Sequence, residues 1–362
     1  MAQFQKVAVL TGGGDCPGLN SALRTLVHTT GRAGIELVGV PDGFKGLIEN
    51  KFVPLNGATT LGIFSQGGTI LGSSNVDTPF RVPISQNGEK SFVDYSDHVL
   101  QYIKDASVEA LLVIGGDGTQ SIAHQFACKG LKIIGIPKTI DNDLQGTDLT
   151  IGFITAVHTA VEALDRLNTT AQSHHRIVVI EVMGRNAGWI ALFAGLGGDA
   201  DVILIPEIPF DLEKVSHFLS QPAQTAKRFS ICLVAEGAKP QGGSVVIRKR
   251  VENSPDPIRL GGIGHWVADQ IEQKTGRETR AIVLGHLLRG GSPVATDRVL
   301  ATRLAVKATE ALLSGQFDTM ASYRGDQITL VPLEQGAGKN RFIDSESQFL
   351  VTAQQRGIYF GV

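Results

Sequence analysis

Little in this chain points toward a large charged partner. Its 33 lysines and arginines nearly balance 35 aspartates and glutamates, leaving a formal net charge of -2. No basic block or acidic tail breaks the pattern, so neither nucleic acid nor a membrane surface is expected as a partner. Any anionic ligand must be held by local clusters. Cysteine is scarce: Cys16, Cys128 and Cys232 are odd in number and far apart. They form no CxxC and no Cys/His spacing, which argues against zinc and for free thiols in a reducing compartment. No apolar run reaches the roughly 20 residues that a spanning helix requires. The opening MAQFQKVAVLTGGG runs into a strand pattern without a basic leader. A soluble, cytoplasmic protein is expected. The signature GxxxxGK[ST] is also missing, which excludes a P-loop enzyme, and there is no solenoid repeat or low-complexity tract.

The chain does have apolar material and glycine. Its 362 residues are 42% hydrophobic, enough for about two domains. Many of its 43 glycines follow short aliphatic runs: VAVL then TGGGDCPG, LLVI then GGDGT, VVIEV then MGRNAG, CLVA then EGA, AIVLG then HLLRGG. Runs of continuous apolar character fit parallel strands covered on both faces. Between them LNSALRTLVHTTGRAG, QSIAHQFACKG, TAVHTAVEALDRLNTTAQ and IGHWVADQIEQKTG read as helices. Strand, glycine turn and helix in repetition is the βαβ unit, so a doubly wound α/β architecture is expected, with ligands at the carboxyl ends of the strands. AKPQGGSVVIRKRVENSPDPIRLGGIG reads as a hairpin or surface insertion.

Two of these turns, and the segment PKTIDND after the apolar run LKII, carry chemistry. In TGGGDCPGLN the glycines let backbone N–H groups approach an anion at the start of a helix. In IGGDGTQS, Asp117 lies between glycines on a turn, where its carboxylate could reach magnesium on a phosphate. Gly118 leaves room for a bulky group, and Thr119 is placed to cap the following helix. In PKTIDND, Asp141 or Asp143 could take a proton from a hydroxyl while the other orients magnesium, and Lys138 offsets their repulsion. Arg176, Arg185, Arg280, His286 and Arg289 stand at strand ends, as phosphate clamps would. Each piece alone has an ordinary reading as a tight turn, an Asx-rich turn or a solvated arginine. Together they describe a magnesium-dependent phosphoryl transferase acting on a small phosphorylated molecule.

The wording and order of GGGDCPGLNSALR, GGTILGSS, VIGGDGT, PKTIDND, VVIEVMGR, AEG and ETRAIVLGHLLRGGSP resemble the 6-phosphofructokinase family over most of residues 7 to 300. The resemblance implies two Rossmann-like doubly wound lobes with mainly parallel sheets. A donor lobe for ATP and magnesium would hold residues 1–150 plus about 290–340, and a fructose 6-phosphate lobe about 151–289 plus 341–362. It implies ATP-dependent phosphorylation of fructose 6-phosphate to fructose 1,6-bisphosphate, the committed step of glycolysis, with Mg2+ as cofactor. Asp141 would be the general base toward the 1-hydroxyl. Thr139 would touch the transferred phosphoryl group, and Asp143 would give polar support around the metal and the reacting groups. Asp117 would bind magnesium. Gly14, Asn75, Gly116, Gly118, Thr119 and Lys138 would face the donor. Met183, Gly184, Arg185, Glu236, His286 and Arg289 would bind the sugar phosphate, with Arg185 also counted among the catalytic groups. Arg176 and Arg280 would reach a neighbouring subunit's substrate, so a homodimer or homotetramer, allosteric as in the family, is implied.

Two positions distinguish donors within that family. The residue after the magnesium aspartate is glycine in ATP users and aspartate in pyrophosphate users; here it is Gly118. The residue after the proline of PKTIDND is glycine in the best-known bacterial ATP enzymes and lysine in pyrophosphate enzymes; here it is Lys138. A missing cavity is harder to work around than an added point charge, so ATP is favoured and a reversible pyrophosphate-dependent phosphotransferase is the alternative. Asn75 replaces an arginine that bridges donor and sugar phosphate, with Lys138 or Arg81 as candidate substitutes. At the familiar nucleotide effector site only Arg24 remains, with His28 and Asn168 in place of arginines, so activation by ADP in the family's familiar way is not expected. GGDGT also occurs in NAD and lipid kinases, but GHLLRGGSP and the length do not fit them. An inactive regulatory subunit would have lost Asp117, Asp141 or Asp143, and all three are present.

Overall fold

A computed structural model describes residues 4–86, 89–221, 226–250 and 258–362. The chain folds into two compact units. The first comprises residues 1–140, 144–152 and 289–340, and the second 141–143, 153–288 and 341–362.

The first unit is built on a seven-stranded sheet. In chain order its strands are β1 (Lys6–Thr11), β2 (Glu36–Val40), β3 (Val53–Leu55), β6 (Leu111–Gly115), β7 (Ile133–Pro137), β14 (Thr319–Arg324) and β15 (Gln327–Pro332). Their spatial order is β15-β14-β7-β6-β1-β2-β3. The five inner strands are parallel, and β3 and β15 close the edges antiparallel. Ala8, Leu10, Leu111 and Val113 pack with helices α2 (Phe44–Ile48), α3 (Ser96–Asp105) and α4 (Asp117–Cys128). The alternate residues Val7, Val9, Leu112 and Ile114 are equally buried. Successive strand side chains point to opposite faces, so the sheet is covered on both sides. That double burial is why these strands read as unbroken apolar runs. Helix α1 (Leu19–Arg32) packs against the helix Ala295–Leu313 (α9 below). A hairpin, β4 (Val82–Gln86) with β5 (Glu89–Val93), stands apart from the sheet.

The second unit holds a fully parallel sheet of β8 (Ile177–Val182), β9 (Val202–Leu204), β10 (Ser230–Ala235) and β13 (Thr279–Val283), ordered β13-β8-β10-β9. One face meets α7 (Leu212–Leu219) and α8 (Ile263–Thr275) through Val215, Leu219, Ile263, Val267 and Ile271. Helices α5 (Phe153–His174) and α6 (Trp189–Gly197) also pack on this sheet. The expected surface insertion is the hairpin β11 (Ile247–Arg250) and β12 (Ile258–Leu260); its central part, 251–257, lies outside the described residues. After it come α8, then α9 (Ala295–Leu313), α10 (Leu333–Gly336) and α11 (Gln348–Gln355). The fold class is therefore the expected one, doubly wound α/β with mainly parallel sheets.

Candidate active site

In the first unit, the donor-side candidates gather where β1, β6 and β7 end side by side. Gly12 N donates to Ile114 O at 2.9 Å and Lys138 N to Gly115 O at 3.0 Å, so these three strand ends share one rim. Thr119 does not cap α4, contrary to the expectation from its place in the sequence. The helix begins two residues earlier, at Asp117, with Gly116 as its N-cap and no side-chain cap bond. Thr119 is instead buried, and a Cβ would come within 2.7 Å of it at Gly12 and 2.3 Å at Gly115. Both glycines are needed because the threonine side chain fills the space. Asp117 is correspondingly the first helical residue rather than a loop residue, half-buried. At that end the free N–H groups carry partial positive charge, and Gly118 follows, exposed.

Lys138 reaches across this rim. Its Nζ donates to Gly14 O at 2.5 Å, and burial holds the ammonium below the ordinary lysine pKa, with Arg289 adding to the effect. The Arg289 guanidinium lies against the same loop: a Cβ at Gly14 would be 2.5 Å from its Nη1. Two cations therefore flank Gly14. The Arg81 alternative is not supported, since its guanidinium covers the Phe92 ring at 4.0 Å. Residues 73–74 strap the loop, with Gly13 N donating to Ser74 O at 3.0 Å and Ser73 Oγ to Gly13 O at 2.5 Å; Asn75 follows, exposed. Beneath the loop the Cys16 thiol donates to Ile151 O at 3.4 Å, and burial pushes its pKa up to about 12. It is a packing group. Thr139 is half-buried, and its carbonyl accepts from Thr150 Oγ1 at 2.5 Å. Arg24 donates to Gly57 O and Thr60 Oγ1, both at 2.8 Å.

In the second unit, Asp141, Asn142 and Asp143 form a turn with Asn142 at φ 52°. Asp143 is buried and accepts from Asn186 Nδ2 at 3.5 Å. Met183, Gly184 and Arg185 leave the end of β8 and meet the end of β10. Glu236 N donates to Val182 O at 2.9 Å and Gly237 N to Gly184 O at 3.1 Å. A Cβ on Gly237 would be 2.0 Å from Arg185 O, so glycine is required there. Leu284 N, just past β13, donates to Glu181 O at 3.0 Å, which brings the exposed His286 to the same edge. Arg176 and Arg280 do not join them. Arg176 precedes β8, and Arg280 pairs with Val178, the second residue of that strand. Both are ion-paired to Glu278, whose carboxylate is held below its usual range by Arg176 first. At about 3.3 Å per residue, the seven residues from Arg176 to Met183 span about 23 Å. Of the expected strand-end arginines, these two mark the opposite, amino end of the sheet.

Sequence reading missed the groups that brace this site. Glu181, buried in β8, accepts from Gly262 N and Gly264 N at the start of α8. Glu207 accepts from Gly188 N and from Ile343 N, and burial raises its pKa. Arg341 contacts the Asp141–Asp143 turn. Their partners are mainly backbone atoms far away in the chain, and no local pattern marks them.

Comparison with known proteins accords with this geometry. The family profile Phosphofructokinase matches residues 6–312. An ATP-dependent 6-phosphofructokinase 2 from Clostridium perfringens is 48% identical over 99% of this chain and 99% of its own. A pyrophosphate–fructose 6-phosphate 1-phosphotransferase from Amycolatopsis methanolica is 44% identical over 98% and 100%. The crystal structure of Pichia pastoris phosphofructokinase in the T-state superposes with a TM-score of 0.79 at 29% identity, covering 93% of this chain and 38% of that one. By sequence and by fold, the chain belongs to the phosphofructokinase family.

Proposed function

We propose that the chain moves the γ-phosphoryl group of ATP to the 1-hydroxyl of fructose 6-phosphate, yielding fructose 1,6-bisphosphate and ADP. Gly118 carries the choice of ATP. Its φ is not left-handed, and a Cβ there would meet nothing within 4 Å. Neither backbone conformation nor packing requires glycine at this position. What the missing side chain leaves is open space at a helix N-terminus, in front of which a nucleotide phosphate chain fits.

In this reading Asp141 removes the hydroxyl proton as the sugar oxygen attacks. Thr139 touches the phosphoryl group in flight, and Asp143 supports the polar surroundings. The backbone at Gly14, Gly116, Gly118 and Thr119, together with Asn75, receives the donor. Lys138 and Arg289 flank Gly14 and counter the charge of the phosphates, which accounts for the absence of a bridging arginine at Asn75. Phosphoryl transfer needs little covalent participation from the protein, so positioning and charge neutralisation carry the rate. Among the described residues no three His, Cys, Asp or Glu side chains cluster as a metal cage. A half-buried carboxylate at Asp117 fits Mg2+, which is typically held by one or two carboxylates with phosphate oxygens and water. The ion would neutralise phosphoryl oxygens.

Met183, Gly184, Arg185, Glu236 and His286 bind the sugar phosphate, and Arg176 and Arg280 serve the substrate of a second copy in a homodimer or homotetramer. We infer a cytoplasmic location; no described helix is long and apolar enough to cross a membrane. The test is a coupled assay with fructose 6-phosphate, offering ATP or pyrophosphate, on the parent and on Gly118→Asp. The parent should turn over with ATP in preference to pyrophosphate. The variant should fold, because an acid in a first helical turn is favourable. It should lose on the order of a hundredfold in kcat/KM for ATP, since two like charges about 4 Å apart near the surface cost a few kcal/mol. A parent that uses pyrophosphate alone contradicts the ATP assignment.

A further inference from the structure

The turn that carries Asp141 is held by a residue that no motif of the chain marks. We infer that Arg341 is a positioning residue for phosphoryl transfer, fixing the Asp141–Asp143 turn from the C-terminal segment; the inference rests on the proposed function. The Arg341 guanidinium donates to Asn142 O at 3.0 Å through Nη2 and at 3.3 Å through Nε. Its backbone N–H donates to Asp143 O at 2.6 Å. One residue thus takes up two successive carbonyls of the turn. Immediately before them lies the Asn142 φ of 52°, a left-handed conformation that asparagine tolerates but that is sparsely populated. External hydrogen bonds hold such a turn in one geometry.

The clamp is itself held. The guanidinium lies over the Trp189 ring at 4.3 Å, and Trp189 Nε1 donates to Arg341 O at 3.0 Å. Two residues on, Ile343 N donates to Glu207 Oε1 at 3.0 Å, and the same carboxylate accepts from Gly188 N at 3.1 Å. Arg341 is therefore fixed on its face, at its carbonyl and through its neighbour. Only a planar fork can both stack on an indole and present two donors to one oxygen; a lysine has no such plane. A base must lie within hydrogen-bond reach of the proton it takes, and a misplacement of about 1 Å costs on the order of 10²-fold in rate.

The experiment compares the parent with Arg341→Ala and Arg341→Lys by steady-state kinetics, thermal melting and hydrogen exchange of the 141–146 backbone, the last without substrates. Arg341→Ala should exchange faster across 141–146. It should lose about 10- to 100-fold in kcat with KM for ATP within about twofold of the parent, and added guanidinium should restore part of the rate. If Arg341→Ala does not fold, Arg341→Lys serves in its place, with a near-parental melt, faster exchange and a lowered kcat. Exchange unchanged in the folded variants, or Arg341→Lys turning over at the parental rate, overturns the inference. A kcat loss matched by an equal rise in KM for ATP and a collapsed melt overturns it too, as the mark of general destabilisation. A parent that turns over no fructose 6-phosphate defeats the proposed function instead, while the exchange result still decides whether Arg341 holds the turn.

Discussion

A lysine ammonium taken out of water is costly to keep charged, and Lys138 is such a group. Burial lowers its pKa, and its hydrogen bond to Gly14 O offsets only part of the lost hydration. The sign follows from linkage: a lysine depressed in the folded state disfavours folding at every pH below that depressed value, and the cost fades as pH rises toward the ordinary lysine range. Under the proposed function, a group that opposes folding at neutral pH and reaches the loop at Gly14 serves the phosphoryl donor. Lys138→Met should therefore melt at or above the parent's temperature at neutral pH and lose on the order of 10² in kcat. Melting and the coupled assay on one preparation check both halves. A lowered melt with unchanged kcat would make Lys138 a packing residue.

At the scale of elements, the loop after β1 is built by close approach. Gly12 and Gly115 make room for Thr119, so β1, β6 and the first turn of α4 meet without a gap. On the second unit Glu207 fastens the start of α6 to the segment before α11 by accepting from Gly188 N and Ile343 N. Its raised pKa, from burial first, means the folded state holds this proton more tightly than the unfolded chain does. The contribution to stability is greatest at low pH and declines as pH rises from the ordinary carboxylate value through the raised one. As pH rises from the ordinary carboxylate value upward, the melt of the parent should fall relative to Glu207→Gln; a pH-independent difference between them would contradict the assignment.

These braces also mark the limit of legibility. The strands of both sheets could be read because burial on two faces leaves continuous apolar runs, and the glycine turns because close backbone approach demands glycine. The candidate roles of Asp117, Asp141 and Arg185 rest on contiguous motifs. Arg341 and its partner Asn142 are 199 residues apart, and Glu181 works through the amides of Gly262 and Gly264. Such contacts impose no periodicity and no spacing. Thr119 eludes a sequence reading for a related reason: a threonine in a helix's first turn looks like a cap until the space beside it is known to be filled.

For the whole molecule, the placement of Arg176 and Arg280 matters most. They lie at the amino edge of the second sheet, Arg176 about 23 Å and Arg280, in register with Val178, about 17 Å along β8 from Met183 by strand rise, and share Glu278. Cations so far from the Arg185 end of that strand serve, under the proposed function, a phosphate held by another copy. Two inactive variants, Asp141→Asn and Arg280→Ala, should then restore each other when co-expressed. Random pairing leaves about a quarter of the sites with both an intact base and an intact neighbour's arginine. Recovery of about a quarter of the parental rate is expected, and a mixture as inactive as its components would contradict a shared site.

The most direct measurement is the pH–rate profile of Asp141→Asn beside the parent, with ATP and fructose 6-phosphate both saturating. Asparagine keeps the size and shape of the side chain but removes its negative charge and with it the capacity to take a proton. kcat should fall by about 10²- to 10⁴-fold, the usual worth of a general base. Both KM values should stay within a few-fold, and the acid limb of the parental profile should disappear. A variant that retains the parental rate and the same acid limb would show that another group takes the sugar's proton.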